Sequence, residues 1–126
     1  TVDFARLEGL RLVLPRRPAH WRAVLDETAR GKGFALQAEM EADSLRLQRE
    51  LVAHTHHLYS LLGPFSIADD LRSGRLQAAR VTNPECRRYV TLALPKQGQL
   101  TAASKVVSKL IQETVAAWGG QLTERP

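Results

Sequence analysis

Three histidines within four residues, His54, His56 and His57, form the densest group of metal-competent side chains in the chain. Imidazole is the commonest protein ligand for zinc. Only His54 and His57 stand three apart, so the group lacks the i, i+4 pair that lays two ligands on one helix face. Cys86, Asp69 and Asp70 lie too far along the sequence to complete a ligand set by spacing. The histidines read instead as a polar helix end, where a cation suits the negative end of the helix dipole. Cys86 would need a base and an oxyanion site to act as a nucleophile, and nothing in the turn around it marks either. Asp69 and Asp70 could be a carboxylate pair for acid–base work. Adjacent helical residues point about 100° apart, so they do not share a site; they suit the first turn of a short helix. The chain holds no G-x-G-x-x-G, no G-x-x-x-x-G-K-S/T and no G-x-S-x-G. No catalytic residue, metal ligand or cofactor is assigned, and a binding role is expected rather than an enzyme.

The remaining chemistry is ligand recognition. Arg16 and Arg17 are adjacent guanidinium groups, a type that grips a carboxylate bidentately. Asp43 and Ser44 stand where a helix begins, and helix starts offer free N–H groups to anions. Gly63, Pro64 and Phe65 form a turn whose aromatic ring could cover an apolar ligand body. Each also has a plainer reading: solvated charge for the arginines, helix capping for Asp43 and Ser44, core packing for Phe65.

Those residues need elements to hold them. Leu10-Arg11-Leu12-Val13-Leu14 is a short apolar run closed by Pro15, as expected of a central parallel strand. Pro18 can open a helix; Trp21, Val24, Leu25, Thr28 and Ala29 repeat at helical spacing before Gly31 and Gly33. Residues 34–40 alternate apolar and polar, which predicts a strand with Phe34, Leu36, Ala38 and Met40 on one face. A helix follows, carrying Leu45, Leu47, Leu51 and Val52, with Asp43 or Ser44 as its cap. Residues 58–62 read as a third strand, 66–73 as a short helix ended by Gly74, and 77–81 and 88–94 as further strands around the Asn83-Pro84 turn. Residues 96–100 form a polar loop. Thr101 caps the longest helix, with the stripe Ala103, Val106, Val107, Leu110, Ile111, Thr114 and Trp118 ending at Gly119-Gly120. Strand–helix alternation of this kind predicts an α/β fold, a mainly parallel (mixed) sheet with helices on both faces. Ligands of such sheets bind beyond the carboxyl ends of the strands, here the loops 15–20, 41–44 and 62–66.

Composition narrows the partners. With 126 residues the chain is one domain or part of one. Its net charge of +5 comes from arginines dispersed along the chain, clustered only as Arg16-Arg17 and Arg87-Arg88. No aromatic residues interleave with them as in a base-stacking platform, so weak DNA binding by this chain is expected. No apolar run approaches the ~20 residues that cross a bilayer. A single cysteine excludes an internal disulfide, which fits a reducing cytoplasm.

The stretch from Leu58 to Leu94 resembles the ligand-sensing half of LysR-type transcriptional regulators. Tyr59-Ser60-Leu61-Leu62 stands for a strand of the "GYTLLP" kind, Ser66 to Leu76 (SIADDLRSGRL) for "SAIADDLAAGRL", Pro84 to Arg87 for a "P-x-x-R" turn and Tyr89 to Pro95 for "LxLAxP". The family's usual G-x-G before the third strand is replaced by Thr55-His56-His57-Leu58, and its proline after that strand by Gly63. The resemblance implies a lobe of the type 2 periplasmic-binding-protein-like fold. Residues 1–88 would be the second lobe of an effector-binding domain, and 89–126 the returning strand and C-terminal helix of the first lobe. The rest of the first lobe and the DNA-binding helix-turn-helix would lie outside the chain. A small-molecule effector, anionic rather than cationic, would sit in the inter-lobe cleft against Arg16, Arg17, Asp43, Ser44, Gly63, Pro64 and Phe65. DNA would be bound only through the missing N-terminal domain. The protein would be a cytoplasmic homo-oligomer, dimer or tetramer, with no membrane partner. The final helix, parted from its lobe, would pack in a new position or onto a second copy. The alternative is a fragment of a two-lobed solute-binding transport protein.

Overall fold

The computed structural model describes residues 1–87, 91–95 and 100–122, with side chains through residue 117. The chain divides into two compact units, Thr1–Arg88 and Tyr89–Pro126.

The first unit is built on β2 (Arg11–Leu14), the middle strand of a three-stranded sheet. Its neighbours are β3 (Ala38–Glu41) and β4 (Leu58–Ser60), and both pair with it in parallel. Parallel strands need crossover connections, and two helices supply them: α1 (His20–Gly31) between β2 and β3, and α2 (Leu45–His54) between β3 and β4. Side chains alternate along a strand, so β2 serves both faces. Leu12 and Leu14 are buried with Leu25 and Ala29 of α1, while Val13 is buried with Ala42 and Leu58 against Leu51 and Val52 of α2. Helices therefore cover both faces of a parallel sheet, the α/β architecture the sequence predicts. Burying each such side chain contributes roughly 1.5–3 kcal/mol.

Residues 1–10 also belong to this core. β1 (Val2–Asp3) leads into a 3₁₀ helix at Phe4–Gly9, whose first turn is capped by Asp3 accepting the Ala5 N–H at 2.9 Å. Phe4 and Leu7 are buried beside Leu12 and Leu36, and the Phe4 and Phe34 rings lie 5.8 Å apart. β1 pairs in parallel with β5 (Val81–Thr82), closing the unit between its first and last residues.

Several expected elements are shorter or differently phased. The strand expected over 34–40 begins only at Ala38. Phe34 N–H instead closes a turn onto Ala29 O, and Leu36 drops into the core. A bulge between Leu12 and Val13 shifts the pairing from Ala38 to Met40, and a bulge reverses the faces of the residues beyond it. Ala38 therefore packs on the α1 side, Ala42 is buried on the α2 side and Met40 is exposed. On α2, Leu45 and Leu47 are exposed and Gln48 faces the sheet with Leu51 and Val52. The strand expected over 77–81 reduces to Val81–Thr82, because β1 offers only two residues to pair with. The short helix expected over 66–73 is a 3₁₀ turn, Pro64–Ser66, followed by α3 (Ala68–Arg72). Gly74 after it is left-handed, at φ 73°, as expected.

In the second unit, residues 91–95 are not in a strand, and 88–90 of the expected 88–94 strand lie outside the described residues. The expected polar loop likewise falls largely on undescribed residues, 96–99. Helix α4 (Ala102–Leu122) is capped by Thr101, whose Oγ1 accepts the Ser104 N–H at 3.1 Å. It continues through Gly119-Gly120 rather than ending there. Its stripe from Val106 to Val115 is exposed, with Val107 and Ile111 lining an apolar groove beside Leu92 and Leu94. The Trp118 side chain lies outside the described residues. No helix among the described residues is long and apolar enough to cross a membrane.

His57, just before β4, has φ 58°. The left-handed region costs an ordinary residue about 1–2 kcal/mol and glycine almost nothing. His57→Gly is therefore expected to stabilise the first unit by about 0.5–1 kcal/mol after allowing for glycine's extra freedom when unfolded. His56→Gly, which removes no such strain, should destabilise it. Urea midpoints of the two variants against the parent check both signs.

Candidate functional site

Because β2, β3 and β4 are parallel, their carboxyl ends share one edge of the sheet. The segments leaving that edge are residues 15–19, 42–44 and 61–63. The strand order β3-β2-β4 means that the chain leaves β2 first to one side and then returns past it to the other. Such a reversal opens a crevice between the two strands concerned, here β2 and β4, and open α/β sheets bind ligands there. Thr55, His56 and His57 lie at the amino end of β4, the opposite edge. The replacement of the family's G-x-G there is therefore remote from this crevice.

The candidate residues fall into three groups. Arg16 and Asp43 are joined across the edge: the Arg16 backbone N–H donates to Asp43 Oδ1 at 2.9 Å, and Arg16 Nε stands 3.9 Å from Oδ2. Asp43 is thus a clasp between two loops, and the helix cap is Ser44, whose Oγ accepts the Leu47 N–H at 3.3 Å. Arg17 points elsewhere, with Nε donating to Asp26 Oδ2 at 2.8 Å, so the two adjacent arginines do not form one fork. Gly63, Pro64 and Phe65 make a separate turn in which Gly63 O accepts the Ser66 N–H at 3.0 Å. The Phe65 side chain is half exposed rather than in the core.

Beneath these lie residues that sequence reasoning passed over. Arg22 of α1 is 2% exposed. Its Nε donates to Asp26 at 3.1 Å, and one terminal nitrogen donates to Pro15 O at 3.1 Å and Glu41 at 3.2 Å. It ties the end of β2 to the end of β3. Gln48, on the other face, ties the end of β3 to β4: its amide N–H₂ donates to Ala42 O, and its amide oxygen accepts the Ser60 hydroxyl at 2.9 Å. Trp21 donates its indole N–H to Leu61 O at 3.0 Å, fixing the loop after β4. The available signal was a charged or amide side chain in phase with an apolar helical stripe, Arg22 with Leu25 and Ala29, and Gln48 with Leu51 and Val52. Arg16, Arg17 and Arg22 are thus matched by Asp26, Glu41 and Asp43, leaving the edge without a net excess of either sign.

The other candidates stay apart from this edge. His54 ends α2 with Nδ1 2.9 Å from Glu50 O, and the His56 and His57 rings are 6.5 Å apart. Among the described residues no group of three His, Cys, Asp or Glu side chains could hold a metal ion. Burial pushes the Cys86 thiol up, only partly offset by a bond with Thr28, which keeps it protonated. Asp69 pairs with Arg72, while Asp70 is buried between Arg49 and Arg75, so the two acids do not converge.

The decisive comparison is with a protein-family model. Residues 1–116 match the LysR substrate binding domain. The chain belongs to that family. No curated protein and no solved structure matches it. LysR substrate binding domains have the type 2 periplasmic-binding-like fold and are regulatory rather than catalytic, and the match does not favour the transport alternative.

Two outcomes follow from the buried polar groups. Gln48→Leu leaves Ala42 O and the Ser60 hydroxyl unpaired, so it should cost about 1–3 kcal/mol despite its added apolar surface, read from the urea midpoint. The second concerns acid. Burial raises Asp26, but hydrogen bonds from Arg17 and Arg22 outweigh it; the bond from Arg49 leads the causes that lower Asp70. Both carboxyls end below their ordinary value of 3.8. Groups lowered on folding stabilise fully above the unfolded value and lose that contribution as pH falls through the folded one. Stability from these pairs should hold from neutral pH down to about pH 5 and fall progressively below about pH 4. Urea melts across that range check it.

Proposed function

We propose that this chain is the ligand-sensing part of a bacterial LysR-type regulator, working in the cytoplasm as a homo-oligomer and performing no reaction. The observation that carries the reading is the shared carboxyl edge of β2, β3 and β4: Arg16 and Asp43 clasp the loops after β2 and β3 beside the start of α2 at Ser44, and the crevice opens on the other side of β2, toward the turn after β4. In this reading residues 1–88 are one lobe of the effector domain, and residues 89–126 contribute to the other. DNA contact belongs to a separate helix-turn-helix and not to this chain, whose positive charge is dispersed.

A small anionic effector supplies the switch. Its anionic group takes the place of the Asp43 carboxylate at the Arg16 N–H and guanidinium, near the start of α2. The Gly63-Pro64-Phe65 turn covers its apolar body. Arg17 acts from behind, by holding Asp26 and so the Arg22 cluster. An effector that prefers one lobe arrangement shifts the equilibrium by its difference in affinity for the two, typically 1–3 kcal/mol for allosteric coupling.

The test uses the regulator that carries this domain and its own promoter output. Arg16→Ala, which removes one good charge-assisted bond, and Ser44→Trp, which puts a bulky ring where the anion sits, should each raise the effector concentration for half-maximal response by about tenfold. DNA binding without effector should be unchanged. An unaltered response in both variants, with normal folding, removes this edge as the effector site.

A further inference from the structure

Residues 61–80, between β4 and β5, contain one buried residue, and it is the charged Asp70. The sheet and its crossover helices are fastened by buried Leu, Val and Ala side chains. This segment is fastened chiefly by a carboxylate. Asp70 Oδ2 accepts from Arg49 Nε at 2.6 Å, and Oδ1 accepts from Arg75 Nε at 2.7 Å. Arg75 also donates to Glu50 at 2.9 Å. Arg49 and Glu50 belong to α2, so the network bolts α3 and the turn after it onto that helix. The Asp70 main chain completes the joint, its carbonyl accepting the Leu76 N–H and the Ser73 hydroxyl at 3.2 Å each.

The two ends of the segment are tied independently of Asp70. Leu61 O is held by the Trp21 indole, and Val81–Thr82 is held by β1. A stretch tethered at both ends, poor in buried apolar contacts and joined in the middle by ion pairs has the makings of a local opening unit. Only the carboxylate is buried: removing an arginine leaves it short of compensation, and removing the carboxylate frees both partly exposed arginines from the segment.

We propose that Asp70 is a latch: gripped by Arg49 and Arg75, it holds residues 62–76 on α2, and this segment opens as a unit while the parallel sheet stays folded. The Gly63-Pro64-Phe65 turn rides on it. Any bearing on effector entry rests on the function proposed above, whereas the latch stands on the packing alone.

Amide hydrogen exchange on the whole chain, read by mass spectrometry, tests it. In Asp70→Asn, peptides over residues 64–76 should exchange at least about tenfold faster, while peptides from β2, α1 and β4 change by less than about twofold. Asp69→Ala, which alters the exposed neighbouring carboxylate, should leave both regions unchanged. Unchanged exchange over 64–76 in Asp70→Asn, or equal acceleration across the sheet, overturns the latch. Should Asp70→Asn not fold, Arg49→Gln keeps Arg75 on the carboxylate and serves in its place. It should give the same local pattern at smaller amplitude, and a uniform rise or no rise there overturns the latch as well. Effector response is a separate readout, so an unaltered response in Arg16→Ala and Ser44→Trp together with local acceleration in Asp70→Asn sinks the effector site and leaves the latch.

Discussion

The first unit depends on the burial of one four-residue strand on both faces. β2 is too short to alternate more than twice, yet Leu12, Val13 and Leu14 are each at most 1% exposed. Both crossover helices, both neighbouring strands and the N-terminal 3₁₀ turn take their places by covering it. The strand opens on Arg11, which pairs with Leu58 in the ladder while its side chain reaches out to Glu39, and it closes before Pro15, which has no N–H for the ladder. The position of the crevice follows from the same constraint. With β2 in the middle, the returning chain must pass it, and the reversal falls beside its carboxyl end.

Polar side chains then set what the apolar core leaves free. The core decides which face each helix covers, but it does not fix how strand ends sit relative to one another. Arg22 does that on one face and Gln48 on the other, each spending buried hydrogen bonds on main-chain carbonyls at the edge. The candidate recognition groups, Arg16, Asp43 and Ser44, are exposed but stand on loops whose roots are held by these two residues. This is how a site on loops acquires defined geometry.

Local signals made much of this readable. Pro15, the β2 run, the α1 periodicity, Ser44, Gly74 and Thr101 act within a few residues of where they stand, and the structure uses them as expected; α2 forms where expected but turns Gln48, rather than Leu45 and Leu47, to the sheet. The resemblance of residues 58–94 to LysR-type regulators pointed to the family that the match over 1–116 then established. The unread parts depend on partners distant in sequence. Val2–Asp3 becomes a strand only because Val81–Thr82 pairs with it, and the bulge at Leu12/Val13 is invisible in any alternation pattern. Asp43 looked like a cap and is a clasp, because its partner lies 27 residues earlier. Asp70 looked like a first-turn charge and is a buried joint, because Arg49 stands 21 residues away.

The central place of β2 also orders events in time. A chain made from its N-terminus releases β2 well before β3 at Ala38–Glu41, and β4 at Leu58–Ser60 comes later still. Until then the strand has two bare edges and two uncovered apolar faces, the condition that invites mispairing with other chains. Non-local parallel pairing is slow for the same reason. The brevity of β2, with a charged arginine as its first residue and proline after it, limits how much ladder a wrong partner can build. The feature that keeps the sheet small also shields the chain while it is being synthesised.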